Sequence, residues 1–389
     1  MANIAMIVSN RYDPDPRVQK EAEALVLAGY DVQVYAYDRG HEIKEQKEVL
    51  NGVKIERIRT KIVPYGKIFK TGIGLRKFRS IVKERLIEKP VDIIHCHDQD
   101  TCSVGLWWKK NKKGKFIFDA HDLYWTWIML PNPNSIIRKI GSQILKIRDK
   151  KYAQKADLLI VATEGIGNKR GFKEIYKSWR NDIVVIMNAE NNYPNSWKYP
   201  EEFTLGYFGN LRDINMFKSL IMALKRINKS VRPKLRIAGG GAEAKNIEKL
   251  FKKNPEIDVT ITGRYSHTEL KGLMDECSIQ FCVYSSKRGN IEHTIPAKLF
   301  SSVACGKKAI VNSNSLASKV CEKYDWGWDV SDNDTDAISK IILELSDSWT
   351  NYSEKDQKNK FPYGKFENIL DWDSQSKKLI EAYQQFKSP

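Results

Sequence analysis

Two histidine–aspartate pairs are the residues of this sequence whose types and spacing best suit chemistry. His97 precedes Asp98, and His121 precedes Asp122, each pair directly after a short apolar run that predicts a strand. Because the carboxyl ends of parallel strands meet at one edge of a sheet, both pairs are expected to face one cleft. A neutral imidazole beside a carboxylate is a competent general base, and the carboxylate orients the ring. We predict that these four residues are catalytic.

A metal ion is the alternative use of such residues. Two histidines with aspartates could ligate one, but the spacing of these two pairs matches no recognisable zinc pattern. We therefore favour acid–base chemistry and predict no metal site.

The stretch 277–311 predicts a phosphate site. An apolar run at 279–284 predicts a buried strand, and a polar loop at 285–294 leads to Pro296, which suits a first helical turn. The free N–H groups and positive dipole end of such a helix favour an anion. Lys298, one turn in, would add a full charge.

A second set of anion-binding residues follows another predicted strand, 203–208. Gly209 allows close backbone approach, and Arg212 could clamp a diphosphate with two hydrogen bonds. The strands predicted at 234–238 and 259–262 also end in glycines. These elements, each a strand followed by a glycine turn, indicate a Rossmann-like domain.

The composition describes a globular protein that is large enough for two domains. The chain has 389 residues, of which 41% are hydrophobic and 11% aromatic. Its six cysteines form no Cys-x-x-Cys pair, which favours buried thiols in a reducing cytoplasm. The N-terminus lacks the pattern of a signal peptide, and no apolar run approaches the ~20 residues of a membrane span. We expect a cytoplasmic protein that is soluble or peripheral.

The net charge of +17 is concentrated in the first half of the sequence. Basic residues cluster at 67–89, 109–115 and 138–155. Such clusters suit an acidic lipid, a nucleic acid or a polyphosphate-linked substrate, although each alone could be a solvated helix face. Trp125 and Trp127 precede the third cluster and predict a membrane-interface patch or an acceptor groove; the alternative is that they cap the domain core.

The first 37 residues predict a Rossmann-type opening. A strand at 3–8, a loop with two prolines, a helix at 17–28 and a strand at 32–37 follow one another, without the G-x-G-x-x-G of a dinucleotide site. Arg11 and Arg17 are candidate cations of the cleft. Equally, Arg17 could pair with nearby acids on its own helix.

The order of these motifs resembles glycosyltransferase family 4, whose members are retaining enzymes with two facing Rossmann-like domains (GT-B). The resemblance lies in the opening 1–37, in His97, in the segment 203–265 and above all in the loop carrying Pro296, Lys298 and Ala304-Cys305-Gly306-Lys307. It implies an α/β fold with an interdomain cleft, a nucleoside-diphosphate sugar as donor and no cofactor or metal. The implied donor-binding residues are Gly209, Asn210, Arg212, Gly263, Arg264, Tyr265, Asn290, Glu292, His293, Thr294, Pro296, Lys298 and Ser301.

The chain departs from the family pattern at two positions. His293 and Ser301 stand where the family usually has glutamates. We hypothesise that the loop is shifted in register, so that Glu292 meets the sugar hydroxyls.

We predict four regions: an acceptor domain at 1–191, a hinge at 192–202, a nucleotide-sugar domain at 203–365, and a helix at 366–389 that crosses back to the first domain. The expected activity is transfer from a UDP-sugar to a lipid-linked or glycan acceptor in cell-surface polysaccharide or glycoconjugate synthesis. Acceptor-side residues are Arg11, Arg17, Trp125 and Trp127. The expected partner is the anionic inner face of the membrane, and not nucleic acid.

Two other classes of function remain open. A sugar-nucleotide 2-epimerase shares this architecture but acts on the free nucleotide sugar. A non-catalytic partner protein that kept the fold is favoured by His293 and Ser301.

Overall fold

The computed structural model describes residues 2–13, 15–62, 68–129, 132–191, 198–350 and 371–386. Two compact units divide the chain: the first contains Met1–Glu164, Phe172–Met187 and Ser374–Pro389, and the second contains Gly165–Gly171 and Asn188–Asp373. Each unit is built around one sheet of parallel strands. The predicted α/β fold class is confirmed.

The first unit holds an eight-stranded sheet in the order β3-β4-β2-β1-β5-β6-β7-β8. Every pair is parallel except β3 with β4. The strands are β1 (Asn3–Val8), β2 (Asp31–Tyr37), β3 (Lys47–Leu50), β4 (Val53–Ile58), β5 (Ile93–His97), β6 (Lys115–Ala120), β7 (Leu158–Val161) and β8 (Val184–Val185).

Helices flank this sheet, and their ends follow ordinary capping rules. In α1 the Asp15 side chain accepts a hydrogen bond from Val18 N–H, and Pro16 occupies the first turn. The helices are α1 (Pro16–Leu27), α2 (Ile68–Glu88), α3 (Cys102–Lys112), α4 (Tyr124–Trp127), α5 (Ile136–Lys155) and α6 (Phe172–Tyr176).

The second unit holds a six-stranded, all-parallel sheet in the order β11-β10-β9-β12-β13-β14. Its strands are β9 (Thr204–Phe208), β10 (Lys234–Ala238), β11 (Val259–Thr262), β12 (Ile279–Cys282), β13 (Ala309–Asn312) and β14 (Gly327–Val330). Its helices are α7 (Ile214–Arg226), α8 (Ala244–Lys252), α9 (Leu270–Asp275), α10 (Ala297–Ala304), α11 (Leu316–Tyr324) and α12 (Thr335–Thr350).

The central strands are buried on both faces. All five residues of β5, of β9 and all four of β12 are buried, as expected when helices cover both sides of a parallel sheet. The polar groups of the chain are therefore presented at the strand ends, where loops leave the core. Many of the predicted site residues accordingly lie at or just after the carboxyl ends of β5, β6, β9, β11 and β12.

The last described helix, α13 (Trp372–Gln384), groups from Ser374 onward with the first unit. Tyr383 is fully buried there, with its hydroxyl 2.7 Å from His95 Nδ1 and its ring edge-on to Tyr30. Residues 366–370 and 387–389 of the predicted helix, and 192–197 of the predicted hinge, lie outside the described residues. Residues 188–191, predicted for the first domain, group with the second unit.

The sequence patterns missed one hairpin. Strands β3 and β4 are joined by Asn51 and Gly52, which have φ angles of 50° and 81°. Positive φ at both positions suits an Asn-Gly turn, and apolar residues flank it on both sides. That dipeptide is the signal that could have predicted the hairpin.

Candidate functional site

Asp119 is the centre of a buried polar cluster in the first unit. Its Oδ2 lies 2.6 Å from His121 Nε2 and 3.3 Å from His97 Nδ1, and its Oδ1 accepts a hydrogen bond of 2.8 Å from Arg17 Nη2. His97 Nδ1 and His121 Nε2 are 3.1 Å apart. The two histidine segments therefore meet at one edge of the sheet, as predicted. Asp119, which was not predicted, contacts both rings.

The two histidines of this cluster titrate in opposite directions. Burial, with His95 stacked at 4.2 Å, holds the pKa of His97 well below its usual range. Burial would also lower the pKa of His121, but Asp119 and Asp98 outweigh it and raise that pKa to about 9. His97 is therefore neutral and His121 protonated at neutral pH, so of the two only His97 can act as a base.

Asp119 itself stays ionised. Burial would raise its pKa, but Arg17 and His121 together hold that pKa well below its usual range. An ionised carboxylate here explains why the neighbouring imidazolium is stable.

Asp98 and Asp122 lie beside the cluster and have different contacts. Asp98 has a φ of 63°, and its Oδ1 accepts hydrogen bonds from the backbone N–H groups of His121 at 3.0 Å and Asp122 at 3.2 Å. Asp98 thus positions the segment that carries His121. A catalytic role for Asp98 or Asp122 stays a prediction.

The predicted acceptor-side arginines are both paired with carboxylates. Arg17 is buried and bonded to Asp119, to Glu21 at 3.1 Å and to the carbonyl of Ile186 at 2.7 Å. It is not a solvent-facing cation, and its pairing with Glu21 matches the alternative of an acid on its own helix. Arg11, by contrast, is partly exposed and pairs with Asp13 and Glu42.

The predicted tryptophan patch is only partly at the surface. Trp125 is 8% exposed and packs against Tyr176 and Trp179 in the core, so the expectation of an exposed Trp125 was wrong. An apolar ring has more to gain from this aromatic core than from water. Trp127 is half-buried, and Leu130 lies outside the described residues.

Four side chains of the cluster could offer ligand atoms to a metal ion. Atoms of Glu21, His95, His97 and Asp119 lie within 4.8 Å of one another. The guanidinium of Arg17, however, already pairs with both carboxylates, and it would repel a second cation. That the chain needs no metal stays a prediction.

In the second unit, glycines bring the ends of β9 and β10 close together. A Cβ on Gly239 would collide with the carbonyl of Gly209, and one on Gly241 would lie 2.5 Å from Asn210 Oδ1. The φ angles of Gly209, Gly239 and Gly241 are 139°, 147° and 156°, which other residues rarely adopt. The glycine turns predicted from the sequence thus permit the backbone packing that forms this site.

Lys298 projects into the same place from the first turn of α10. A Cβ on Gly209 would lie 2.5 Å from Lys298 Cε, and Lys298 Nζ is 4.9 Å from the ring centre of Tyr207. Burial, with Arg212 and Arg288 nearby, lowers the pKa of Lys298 to about 8. Among the described residues, this ammonium group has no carboxylate within ion-pair distance.

The other predicted nucleotide-binding residues surround these groups. Arg212 and Asn210 are exposed beside Gly209, and Arg264 lies against Gly240, whose added Cβ would be 2.7 Å from Arg264 Cγ. Gly263 is open to solvent. Tyr265 packs beside Leu270 on the core, and burial raises its pKa to about 12.

The residues of the loop 290–296 lie partly on a short helical turn and partly at the start of α10. Pro296 is the N-cap of α10, Thr294 precedes it, and Asn290 begins the short helical turn Ile291–His293. His293 Nδ1 lies 2.8 Å from the Arg170 carbonyl, whereas Glu292 is exposed. The structure therefore leaves the Glu292 side chain, and not that of His293, directed to an open surface.

Glu292 lines a polar cavity of about 190 Å³. Hydroxyl, amide and carboxylate groups surround it, from Ser286, Ile291, Glu292, Asn312, Ser313, Asn314, Ser315, Ser331, Asp332 and Asn333. This lining suits a ligand with several hydroxyl groups.

Four residues of these sites escaped prediction: Glu21, His95, Asp119 and Glu190. The Glu190 carboxylate lies 3.5 Å from Ser301 Oγ, beside the position where a glutamate was expected. For His95 the signal was present, because His-x-His on a buried strand places both rings on one face.

The two sheets of parallel strands match the fold of solved GT-B glycosyltransferases. Among solved structures, similar chains are sucrose-phosphate synthase from Thermosynechococcus elongatus (16% identity, TM-score 0.73, 99% of each chain covered) and HepE from Anabaena in complex with UDP and glucose (14%, TM-score 0.68, 99% of this chain and 100% of that chain). WaaG, a glycosyltransferase involved in lipopolysaccharide biosynthesis, aligns at 11% identity and a TM-score of 0.64, covering 97% of this chain and 98% of that chain. At these identities the similarity establishes the fold. No curated protein matches the chain in sequence.

The family models go further than the fold. Residues 17–189 match the model of glycosyltransferase family 4, and residues 189–360 match the model of the glycosyl transferases group 1. The chain belongs to the family 4-like glycosyltransferases of the GT-B type. The predicted enzyme class, a hexosyltransferase, is confirmed.

Proposed function

We propose that this enzyme transfers a hexosyl group from a UDP-sugar, with retention of configuration, to a glycan or lipid-linked acceptor in the synthesis of cell-surface polysaccharides or glycoconjugates. The observation that carries the proposal is Lys298. A half-buried ammonium without a carboxylate partner among the described residues, at the start of a helix and near two arginines, needs an anion to offset its desolvation. A nucleoside diphosphate supplies that charge.

The same groups would act on the leaving group. In the transfer, the bond between the anomeric carbon and the phosphate oxygen breaks, and a bond to the acceptor oxygen forms. The proton of the acceptor hydroxyl passes to the released diphosphate. Lys298 and Arg212 would stabilise the charge that develops on that diphosphate, an effect worth about 3 kcal/mol per well-placed donor.

His97 is the residue of the first unit best suited to an acceptor hydroxyl. Its Nε2 is buried and has no hydrogen-bond partner among the described residues. Tyr383, through His95, and Asp119 hold the surrounding rings in place. The choice of uridine is supported by HepE, whose structure contains UDP.

The acceptor and the location of the enzyme belong to the same proposal. No helix among the described residues is long and apolar enough to cross a bilayer. The basic clusters of the first unit suit a lipid carrier with a diphosphate headgroup, at the inner face of the membrane. The enzyme would then act in the cytoplasm as a peripheral protein.

A panel of UDP- and GDP-sugars tests the proposal in two stages. Thermal shift identifies the donor, and the chosen donor is then incubated with lipid-linked acceptors from a membrane extract. Lys298→Ala and Arg212→Ala should each weaken UDP binding by about 1.5–3 kcal/mol, the range for hydrogen bonds to charged groups. Unchanged UDP and GDP affinity in both variants, by calorimetry, would refute the donor assignment.

One observation favours a second candidate. His293 and Ser301 replace the two expected glutamates, which supports a partner protein that binds the donor without turning it over. Donor binding with no product in the presence of the acceptor extract would select that candidate. Conversion of the donor to its 2-epimer without any acceptor would select the epimerase.

A further inference from the structure

Helix α5 presents a row of isoleucines to solvent. Their exposed fractions are 74% for Ile136, 82% for Ile137, 57% for Ile140, 47% for Ile144 and 67% for Ile147. Single exposed apolar residues are ordinary, but five on one helix form a patch. A patch of this kind indicates an interaction surface.

The row lies on the side of α5 that faces away from its own unit. The helix packs on the core through Leu145, Asp149, Tyr152 and Ala153. At ~100° per residue, the five isoleucines fall within an arc of about 100° centred nearly opposite this packed side. From Ile136 to Ile147 the row is about 17 Å long.

Exposed basic residues border the row. Lys139, Lys146 and Lys150 follow one edge of it, and Arg148, Lys151 and Lys155 lie toward its C-terminal end. The only acidic residue of α5 is Asp149, which is buried and bonded to Gln99 and Tyr176. The exposed charged residues of the helix are therefore all basic.

We propose that this isoleucine face is a membrane-docking surface, which places its side chains at the headgroup level of a bilayer rich in anionic lipid. Isoleucine side chains provide the buried apolar area, and the bordering lysines pair with lipid headgroups. The surface replaces the predicted tryptophan anchor, because Trp125 belongs to the core.

The charge of the helix selects a membrane over a second copy of the chain. Two copies packed face to face would bring their lysines together without a compensating carboxylate on either helix. An anionic bilayer complements both the apolar row and its basic borders. The inference deepens the proposed membrane contact, but it does not depend on the donor or on glycosyl transfer.

Vesicle sedimentation tests the docking surface without any substrate. The wild-type chain should sediment with vesicles of phosphatidylcholine containing roughly one third phosphatidylglycerol, and less at high salt. The triple variant Ile137→Gln/Ile140→Gln/Ile144→Gln should lower the partition coefficient by about tenfold or more, because three apolar side chains lose their insertion. The control Leu27→Gln/Met222→Gln changes residues that are 88% and 48% exposed elsewhere, and it should sediment as wild type.

A fluorescent label identifies which surface touches the bilayer. All six natural cysteines are buried, so Ile140→Cys can be labelled selectively with an environment-sensitive dye, and so can Leu27→Cys. Vesicles should shift the emission of the first label to the blue and leave the second unchanged.

Several outcomes would overturn the proposal. The first is that the wild type does not sediment with the anionic vesicles at low salt. The second is that the triple variant sediments at the wild-type level. The third is a wild-type dimer in solution that the triple variant dissociates. UDP affinity, measured on the same variants, should stay at the wild-type value. If the wild type does not bind UDP, the proposed function is refuted but the vesicle result still stands.

Discussion

At the scale of single residues, protonation states decide what each polar group can do. His97 and His121 lie 3.1 Å apart, yet one is neutral and the other protonated. Burial and the stacked His95 lower the pKa of His97, whereas Asp119 and Asp98 raise that of His121. Lys298 shows the opposite effect, since burial among arginines leaves its ammonium group less stable than in water.

The pKa of Lys298 predicts a pH dependence of UDP affinity. Below a pKa of about 8 the side chain is charged, and above it the charge is lost unless bound diphosphate restores it. The dissociation constant, measured by calorimetry between pH 7 and pH 9.5, should rise by up to about tenfold per pH unit above pH 8. In Lys298→Arg the charge persists across this range, so its affinity should not change with pH. An equal loss in that variant would assign the pH effect to another group.

The donor loop predicts a difference between two adjacent residues. Glu292 faces the polar cavity, whereas His293 bonds a backbone carbonyl. Glu292→Gln should lower kcat more than it weakens nucleotide affinity, because only contacts to the sugar are lost. His293→Ala is the matched comparison. If steady-state kinetics show that His293→Ala is damaging and Glu292→Gln is silent, the proposed register is wrong.

At the scale of elements, one buried arginine connects α1 to the sheet. Arg17 starts on α1, pairs with Asp119 of β6 and reaches the carbonyl of Ile186 just after β8. It offsets two buried carboxylates, Asp119 and Glu21. Its contacts hold these elements together.

Removing that arginine should destabilise the fold strongly. Arg17→Met leaves the buried Glu21 without its cation and Asp119 with His121 alone, which costs about 3–5 kcal/mol of unfolding free energy. Arg11 pairs with Asp13 and Glu42 near the surface, so Arg11→Met is the control. In urea unfolding this variant should lose at most about 1 kcal/mol of unfolding free energy. Burial already raises the pKa of Glu21 to about 8 with Arg17 present, and without Arg17 the pKa of both carboxyls should rise. The loss should therefore grow as the pH rises from 5 to 8, and a loss independent of pH would contradict this account.

Local sequence patterns could predict the helices and strands, but not which side chains contact each other across the fold. Strands β1, β10 and β11 were expected at their observed limits, because each is a short apolar run that ends at a turn. The contact of Arg17 with Asp119 joins positions 102 residues apart, and no periodicity reports such a pair. The sequence around Trp125 suited both a surface position and a core position. Only its packing against Tyr176 and Trp179, which are distant in sequence, shows that it lies in the core.

At the scale of the whole molecule, the candidate site residues are divided between the two units. The predicted nucleotide-binding residues all lie in the second unit, and the histidine cluster lies in the first. The first unit is completed by α13, which supplies Tyr383 from the far end of the sequence.

This division predicts that damage to one unit spares the other. Tyr383→Ala removes a fully buried ring and the hydrogen bond to His95, which should cost about 3–5 kcal/mol in the unfolding of the first unit. UDP affinity at 25 °C should remain at the wild-type value, because the donor residues lie elsewhere. Hydrogen exchange would resolve the two units, with faster exchange at β5 and unchanged exchange at β9. A parallel loss of UDP binding would show that the units are coupled.

The position of Tyr383 also has a consequence for the order of events on the ribosome. The strands of the first unit emerge first, but the side chain that covers His95 and Tyr30 emerges after the entire second unit. The second unit can therefore fold while the histidines of the first unit are still exposed to solvent or to a chaperone. Emergence of α13, and not translation of residue 187, would mark the moment at which the first unit becomes complete.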